Sequence, residues 1–162
     1  VDVLVHNAGD MVHELTFTQH NIEVITATHV VGPYLLTERL RAQGKLGCEG
    51  PSRVIFVSSG GMYSEPLHVE ALNTFPSTYD GVAHYAKTKR AQVVLATQLN
   101  ERYKTDDIHV ASMHPGWVDT PALNRAMPRF KKWTNPILRT ANQGADTVVW
   151  LRANHPELSA EN

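Results

Sequence analysis

The sequence has no excess of charge and no long apolar run. Fifteen Lys and Arg residues and 16 Asp and Glu residues give a formal net charge of −1. Proteins that bind nucleic acid or anionic membranes are drawn to them by a basic field, which this composition does not supply. No stretch reaches the roughly 18 consecutive apolar residues that a membrane-spanning helix requires. We therefore expect no nucleic-acid partner and no integral membrane segment.

Cysteine and closely spaced metal ligands are also scarce. The one cysteine, Cys48, cannot form an internal disulfide, and it lies in a glycine-rich turn where a free thiol is ordinary. A lone thiol fits a reducing compartment, so we expect the protein to be cytoplasmic. The nine histidines include no His-x-x-x-His pair and no Cys/His group at ligand spacing, which predicts no metal site.

Three short apolar runs each end in small or turn-forming residues. They are residues 1–5, 53–57 and 108–113, and they lead into residues 6–9, 58–61 and 114–120. Such β-branched runs are typical of buried parallel strands. Ligands of parallel sheets bind beyond the carboxyl ends of the strands. We therefore expect polar groups to meet at one edge of the sheet, namely Asn7, Ser59, Pro115 and Thr120.

Stretches with helical spacing alternate with these runs, at residues 21–43, 84–104 and 140–153. Alternating strands and helices are the order of βαβ units, whose right-handed crossovers place the strands side by side and parallel. The sequence thus predicts an α/β fold: part of a Rossmann-like, doubly wound parallel sheet with helices on both faces. A content of 42% hydrophobic and 19% charged residues is ordinary for a globular domain.

Tyr85 and Lys89 stand four residues apart near the start of the second helical stretch, and no other tyrosine has a lysine at this spacing. Positions i and i+4 share one face of a helix, so the lysine cation is expected to stabilise the phenolate and lower the pKa of the tyrosine. A tyrosine with such a pKa can exchange a proton with a substrate oxygen. Alone, the pair also fits a surface tyrosine beside a solvated lysine.

Four motifs in this order resemble the short-chain dehydrogenase/reductase family. They cover nearly the whole chain and are Asn7-Ala8-Gly9, Ser58-Ser59, Tyr85-x-x-x-Lys89 and Pro115-Gly116-Trp117-Val118-Asp119-Thr120. Asn-Ala-Gly is similar to the single-domain branch of the family and disfavours the extended epimerase branch. The residues of the last three motifs resemble one orphan group of the family in particular. This resemblance does not indicate the substrate.

The resemblance implies a role for each catalytic residue. Tyr85 would be the general acid/base in a hydride transfer that interconverts an alcohol and a carbonyl. Lys89 would lower the pKa of the tyrosine and bind the nicotinamide ribose, and Ser59 would hold the substrate oxygen. Ser58 is expected to be structural. Taken singly, Ser59 is also compatible with a strand-ending serine, and Pro115-Gly116 with a plain turn.

The resemblance also implies NADP or NAD as cofactor, with a slight preference for NADP. The residues expected to bind it are Asn7, Ala8, Gly9, Tyr85, Lys89, Pro115, Gly116, Val118 and Thr120. The implied substrate is a small apolar alcohol or carbonyl compound. In relatives the helices matching residues 21–43 and 85–104 pair subunits, so a homodimer is a further expectation.

Two departures from the family pattern bear on function. His29 stands where relatives carry an asparagine thought to anchor a water of a proton relay; it either replaces that asparagine or is a packed helix histidine. The glycine-rich turn Thr-Gly-x-x-x-Gly-x-Gly, which cradles the pyrophosphate, does not occur in residues 1–162.

From the missing glycine-rich turn we expect residues 1–162 to be the C-terminal part of a single dinucleotide-binding domain, holding strands four to six of the family's sheet. The alternative function is a non-catalytic, dehydrogenase-like fragment or binding module. The stretch 62–82 makes the distance from Ser59 to Tyr85 longer than is usual. It is expected to shape the substrate site or, in the alternative, to face solvent.

Overall fold

The computed structural model of the protein describes residues 1–48, 50–120 and 137–153. Three strands form one parallel sheet in the order β1 (Val3–His6), β2 (Ser52–Val57) and β3 (Ile108–Met113). Val3 lies opposite Arg53, and Ser52 lies opposite Ile108. Because the strands run in one direction, their carboxyl ends meet at a single edge of the sheet.

Helical segments connect the strands and follow the last one. Between β1 and β2 lie α1 (Val24–Thr26), a π-helical turn (Ala27–Val31) and α2 (Gly32–Ala42). Between β2 and β3 lie two 3₁₀ turns (Gly60–Ser64 and Val69–Leu72) and the long helix α3 (Gly81–Arg102). Helix α4 (Ala141–Ala153) follows β3. Within the described ranges, no helix is long and apolar enough to cross a membrane.

Strand β2 separates two hydrophobic clusters because its side chains alternate between the faces of the sheet. Val54 and Phe56 pack with Leu99 of α3 on one face. Ile55 and Val57 pack with Leu151 of α4 on the other face. The predicted parallel sheet with helices on both faces is therefore confirmed.

Helix α3 begins slightly before the predicted start at residue 84, because Asp80 caps it. The Asp80 carboxylate accepts hydrogen bonds from the backbone N–H groups of Val82 and Ala83, which satisfies two donors of the first turn. Gly81 packs directly against the loop that follows β1, where a Cβ would collide with the carbonyl of Val12. The start of α3 is thus fixed both by its cap and by close backbone packing.

Candidate active site

A cavity of about 660 Å³ opens at the carboxyl edge of the sheet. Its walls come from the segments that follow the three strands and from the first turns of α3. Nine of the residues selected from the sequence line it: Asn7, Gly9, Ser59, Tyr85, Lys89, Pro115, Gly116, Val118 and Thr120. Ala8 is not among the lining residues and is exposed. The cavity thus brings together segments that are far apart in the sequence.

Ser59 lies at the end of β2 and faces Tyr85. Its backbone is extended, and its hydroxyl accepts a hydrogen bond from Gly61 N (3.2 Å) at the start of a 3₁₀ turn. Its neighbour Ser58 is buried and donates from Oγ to the backbone oxygen of Lys89 at 2.7 Å. Ser58 therefore attaches α3 to the sheet, while Ser59 presents its hydroxyl to the cavity.

The electrostatics of Tyr85 differ from the expectation based on spacing. Burial raises the pKa of the Tyr85 phenol, and a hydrogen bond with the Ser59 hydroxyl opposes this rise. The expected lowering of that pKa by Lys89 is wrong here, because Lys89 Nζ donates to the backbone oxygen of Val57 at 2.8 Å. The same ammonium lies 5.6 Å from the centroid of the Tyr85 ring. In this arrangement the phenol keeps its proton at neutral pH.

Lys89 is itself buried, with 4% of its surface exposed. Burial lowers its pKa to about 8, because water no longer solvates the ammonium fully. At neutral pH the side chain is still mostly protonated. A fixed cation thus lies beside Tyr85 at the closed end of the cavity.

His29 lies behind Tyr85, and its tautomer follows from its hydrogen bonds. The Thr88 hydroxyl donates its one hydrogen to the backbone oxygen of Tyr85 (2.8 Å), so it can only accept from His29 Nδ1 (2.8 Å). Burial, together with the charge of Lys89, lowers the pKa of His29 to about 2. The ring is therefore neutral, with its proton on Nδ1 and a bare lone pair on Nε2.

The bare Nε2 of His29 points towards Gly9. It is buried and has no hydrogen-bond partner among the described residues. A Cβ built on Gly9 would lie 2.8 Å from His29 Nε2 and 3.4 Å from Lys89 Nζ. His29 belongs to the π-helical turn, an irregularity that the sequence did not predict and that is frequent at functional sites. The structure thus adds that His29 lies beneath the cavity. Both alternatives for its role stay predictions.

The segment from Pro115 to Thr120 forms the opposite wall. Gly116 has a φ of +77°, a left-handed conformation that favours glycine. The side chain of Arg139 covers Gly116, with Cδ at 2.9 Å from the place a Cβ would occupy. The backbone of Arg139 also donates to Trp117 O at 2.7 Å and accepts from Asp119 N at 2.9 Å. The contact between Arg139 and Gly116 was not predicted from the sequence, since no local spacing connects the two residues.

The long connection between Ser59 and Tyr85 has two parts. Its ends line the cavity through Tyr63, Ser64 and Val82. Its middle packs elsewhere, because Thr26 Oγ1 donates to Leu72 O at 2.6 Å. The ends of the stretch therefore line the cavity, whereas its middle packs against α1 and does not line it.

The outer part of the cavity carries apolar side chains that the sequence did not select. Met11, Tyr63, Val82 and Trp117 all line it. Tyr63 is 71% exposed and Trp117 is 43% exposed, which leaves large rings at the mouth. Met11 belongs to the irregular loop after β1, where neither helical nor strand periodicity gives a signal.

Known proteins resemble this chain in sequence and in fold. The family model described as short chain dehydrogenase matches residues 1–129. The human protein named Dehydrogenase/reductase SDR family member 12 is 42% identical over 149 residues, which are 92% of this chain and 46% of the relative. The chain thus spans about half the length of this curated relative. This relative represents the orphan group that the residues of the motifs resemble.

Solved structures share the fold. A 3-ketoacyl-(acyl-carrier-protein) reductase from Brucella melitensis, complexed with NADH, has a TM-score of 0.67 at 23% identity, covering 100% of this chain and 63% of that one. A gluconate 5-dehydrogenase from Burkholderia cenocepacia, in complex with NADP and tartrate, has a TM-score of 0.68 at 18% identity, with 93% and 57% covered. At these identities the likeness shows the fold.

Proposed function

The chain belongs to the short-chain dehydrogenase/reductase family, and on this premise we propose that the protein is an NAD(P)(H)-dependent oxidoreductase that interconverts an alcohol and a carbonyl compound. The observation that supports this most is the presence of Ser59, Tyr85 and Lys89 in one cavity at the carboxyl edge of the sheet. A proton donor, a hydroxyl and a fixed cation are the groups that carbonyl reduction requires from the protein.

In the reducing direction, Tyr85 donates its phenolic proton to the substrate oxygen. The raised pKa keeps that proton in place at neutral pH. Ser59 holds the same oxygen and stabilises the negative charge that develops on it. Proton donation leaves Tyr85 as the phenolate, and the Lys89 ammonium, held by Val57 O, is assigned to binding the nicotinamide ribose. In the oxidising direction the same phenolate accepts the proton of the alcohol.

The nicotinamide dinucleotide supplies or accepts the hydride when it is bound. The cavity supports binding of its nicotinamide half, since Tyr85, Lys89 and the wall from Pro115 to Thr120 line one space. We assign its binding to Asn7, Ala8, Gly9, Tyr85, Lys89, Pro115, Gly116, Val118 and Thr120, the last four forming the opposite wall. Family members of the same fold bind NADH or NADP, and for this chain we keep NADP as the slightly preferred cofactor.

The proposed substrate is an apolar alcohol or carbonyl compound. Its support is the mouth of the cavity, where Met11, Tyr63, Val82 and Trp117 offer apolar surface around a few polar groups. The homodimer, the cytoplasmic location and the assignment of residues 1–162 to the C-terminal part of one domain stay predictions.

Titration with NADPH and then NADH, followed by the fluorescence of the reduced nicotinamide, tests the proposal. We expect saturable binding that weakens in Lys89→Met, because the cation lies in the cavity. The matched control is Lys87→Met on the same helix, where the ammonium lies 3.9 Å from the Glu65 carboxylate instead. A folded chain that binds neither dinucleotide would contradict the proposal and favour the alternative of a non-catalytic module without the pyrophosphate-binding turn.

A further inference from the structure

A buried carboxylate with a complete set of donors lies next to the proposed site. Glu23 is 0% exposed. Its Oε1 accepts from Ile25 N at 2.9 Å and from the Tyr79 hydroxyl at 3.1 Å. Its Oε2 accepts from Thr26 N at 2.7 Å and lies 2.8 Å from His84 Nε2. An ionised carboxylate can accept about four such bonds, so Glu23 has no acceptor site left over.

The hydrogen bonds also fix the tautomer of His84. Its Nε2 lies 2.8 Å from the Glu23 carboxylate and 2.9 Å from Thr26 Oγ1. The Thr26 hydroxyl gives its own hydrogen to Leu72 O. Both groups near Nε2 are therefore acceptors, and the proton of His84 must be on Nε2.

This network joins α3, which carries Tyr85, to the segment that leads into the π-helical turn. His84 directly precedes Tyr85 in α3, and Thr26 directly precedes the π-helical turn that carries His29. The rings of His29 and Tyr85 meet edge to face with centroids 5.3 Å apart. The Glu23 carboxylate bonds to His84 in α3 and to the backbone of α1, directly before that turn, so its oxygens connect α3 to α1.

We propose that Glu23, acting through the Nε2–H of His84, is a positioning residue for Tyr85. The proposal rests on the role given to Tyr85 above, and it assigns a function to two residues that do not line the cavity. Glu23 holds the first turn of α3 against α1 and so keeps the phenol facing Ser59. The Tyr79 hydroxyl bonds to the same carboxylate and so attaches the long connection between Ser59 and Tyr85 to it.

Two substitutions in the 162-residue chain test this role. Glu23→Gln keeps the shape but places an NH₂ group against a donor, whichever way the amide turns. His84→Phe keeps a ring in the aromatic group with Phe75, whose centroid is 5.0 Å away, and removes both ring nitrogens, including the Nε2–H donor. The matched control is Glu65→Gln, which removes a carboxylate that lies 3.9 Å from Lys87 of α3.

The first readout is NMR of ring-labelled tyrosine, with the Tyr85 signal assigned by its loss in Tyr85→Phe. We expect the Tyr85 signal to shift in Glu23→Gln and in His84→Phe and to stay in place in Glu65→Gln. Should one variant fail to fold, the other carries the test. An unchanged Tyr85 signal in a folded Glu23→Gln or His84→Phe chain would overturn the proposal, because a merely structural role lowers the melting temperature alone.

The second readout is the reduction of 4-nitrobenzaldehyde with NADPH. We expect kcat to fall by about 10- to 100-fold in Glu23→Gln, as for a misplaced catalytic group, with the KM for NADPH unchanged. An equal kcat in Glu23→Gln and Glu65→Gln would overturn the positioning role. Failure of the wild-type chain to turn over would refute the proposed function, whereas the NMR comparison would still decide the role of Glu23.

Discussion

Gly9→Ala tests the packing beneath the cavity, because it adds a Cβ at a position whose backbone is not in the left-handed region. The new atom would lie 2.8 Å from His29 Nε2, well inside ordinary contact distance. His29 cannot move aside cheaply, because it is 0% exposed and bonded to Thr88. Lys89 Nζ, at 3.4 Å from the same point, closes the other side.

Overpacking of this kind costs about 1–3 kcal/mol. For a chain of this length that lowers the melting temperature by roughly 2–12 °C, measured by circular dichroism. Gly60→Ala is the control, because the nearest atom to its Cβ, on His114, is 3.9 Å away. We expect Gly60→Ala to change the melting temperature little.

A double-mutant cycle identifies the colliding partner. Shortening the histidine in His29→Asn removes the Nε2 atom, so the double variant with Gly9→Ala should lose less stability than the two single variants together. For residues in contact the difference is about 0.5–3 kcal/mol. Equal melting temperatures for Gly9→Ala and Gly60→Ala, or strictly additive losses in the cycle, would show that the new Cβ does not collide with His29.

Two further predictions concern buried histidines. Burial lowers the pKa of His6 to about 4 and that of His29 to about 2; the unfolded chain therefore binds more protons, and stability falls as pH drops below about 6.5. Urea unfolding at pH 7 and pH 5.5 should show a loss of roughly 1 kcal/mol for each histidine, and equal stabilities would contradict it. Thr37→Val leaves His6 Nε2, 2.8 Å from Thr37 Oγ1, without its partner. It should cost about 1–3 kcal/mol; the exposed Thr97→Val, which loses only a bond to its own helix, should cost less, and an equal loss would argue against the buried bond.

The fold and much of the candidate site could be predicted because both depend on local patterns. The β-branched run of Arg53 to Val57 is buried between two helical layers, and alternation along it divides the core as expected. Parallel strands then place their following residues at one edge whatever their side chains are. Ser59 and Tyr85 therefore meet in the cavity although the connection between them is long.

The remaining features depend on contacts that no spacing reveals. The direction of the Tyr85 pKa shift depends on burial and on where the Lys89 ammonium points, and the i, i+4 relation fixes neither. Arg139 reaches Gly116 only because the chain returns to it after β3. Glu23 carries no signal in the sequence, because its four donors lie on three different segments of the chain.

The proposed function depends most on one step, the transfer of a proton by Tyr85 in carbonyl reduction. The measurement is NADPH oxidation with 4-nitrobenzaldehyde by the wild-type chain, by Tyr85→Phe and by Tyr34→Phe, whose hydroxyl contacts Arg102 instead. We expect Tyr85→Phe still to bind NADPH through the other assigned residues but to reduce the aldehyde about 10²–10⁴-fold more slowly, while Tyr34→Phe keeps its rate. Equal rates in Tyr85→Phe and wild type would contradict it.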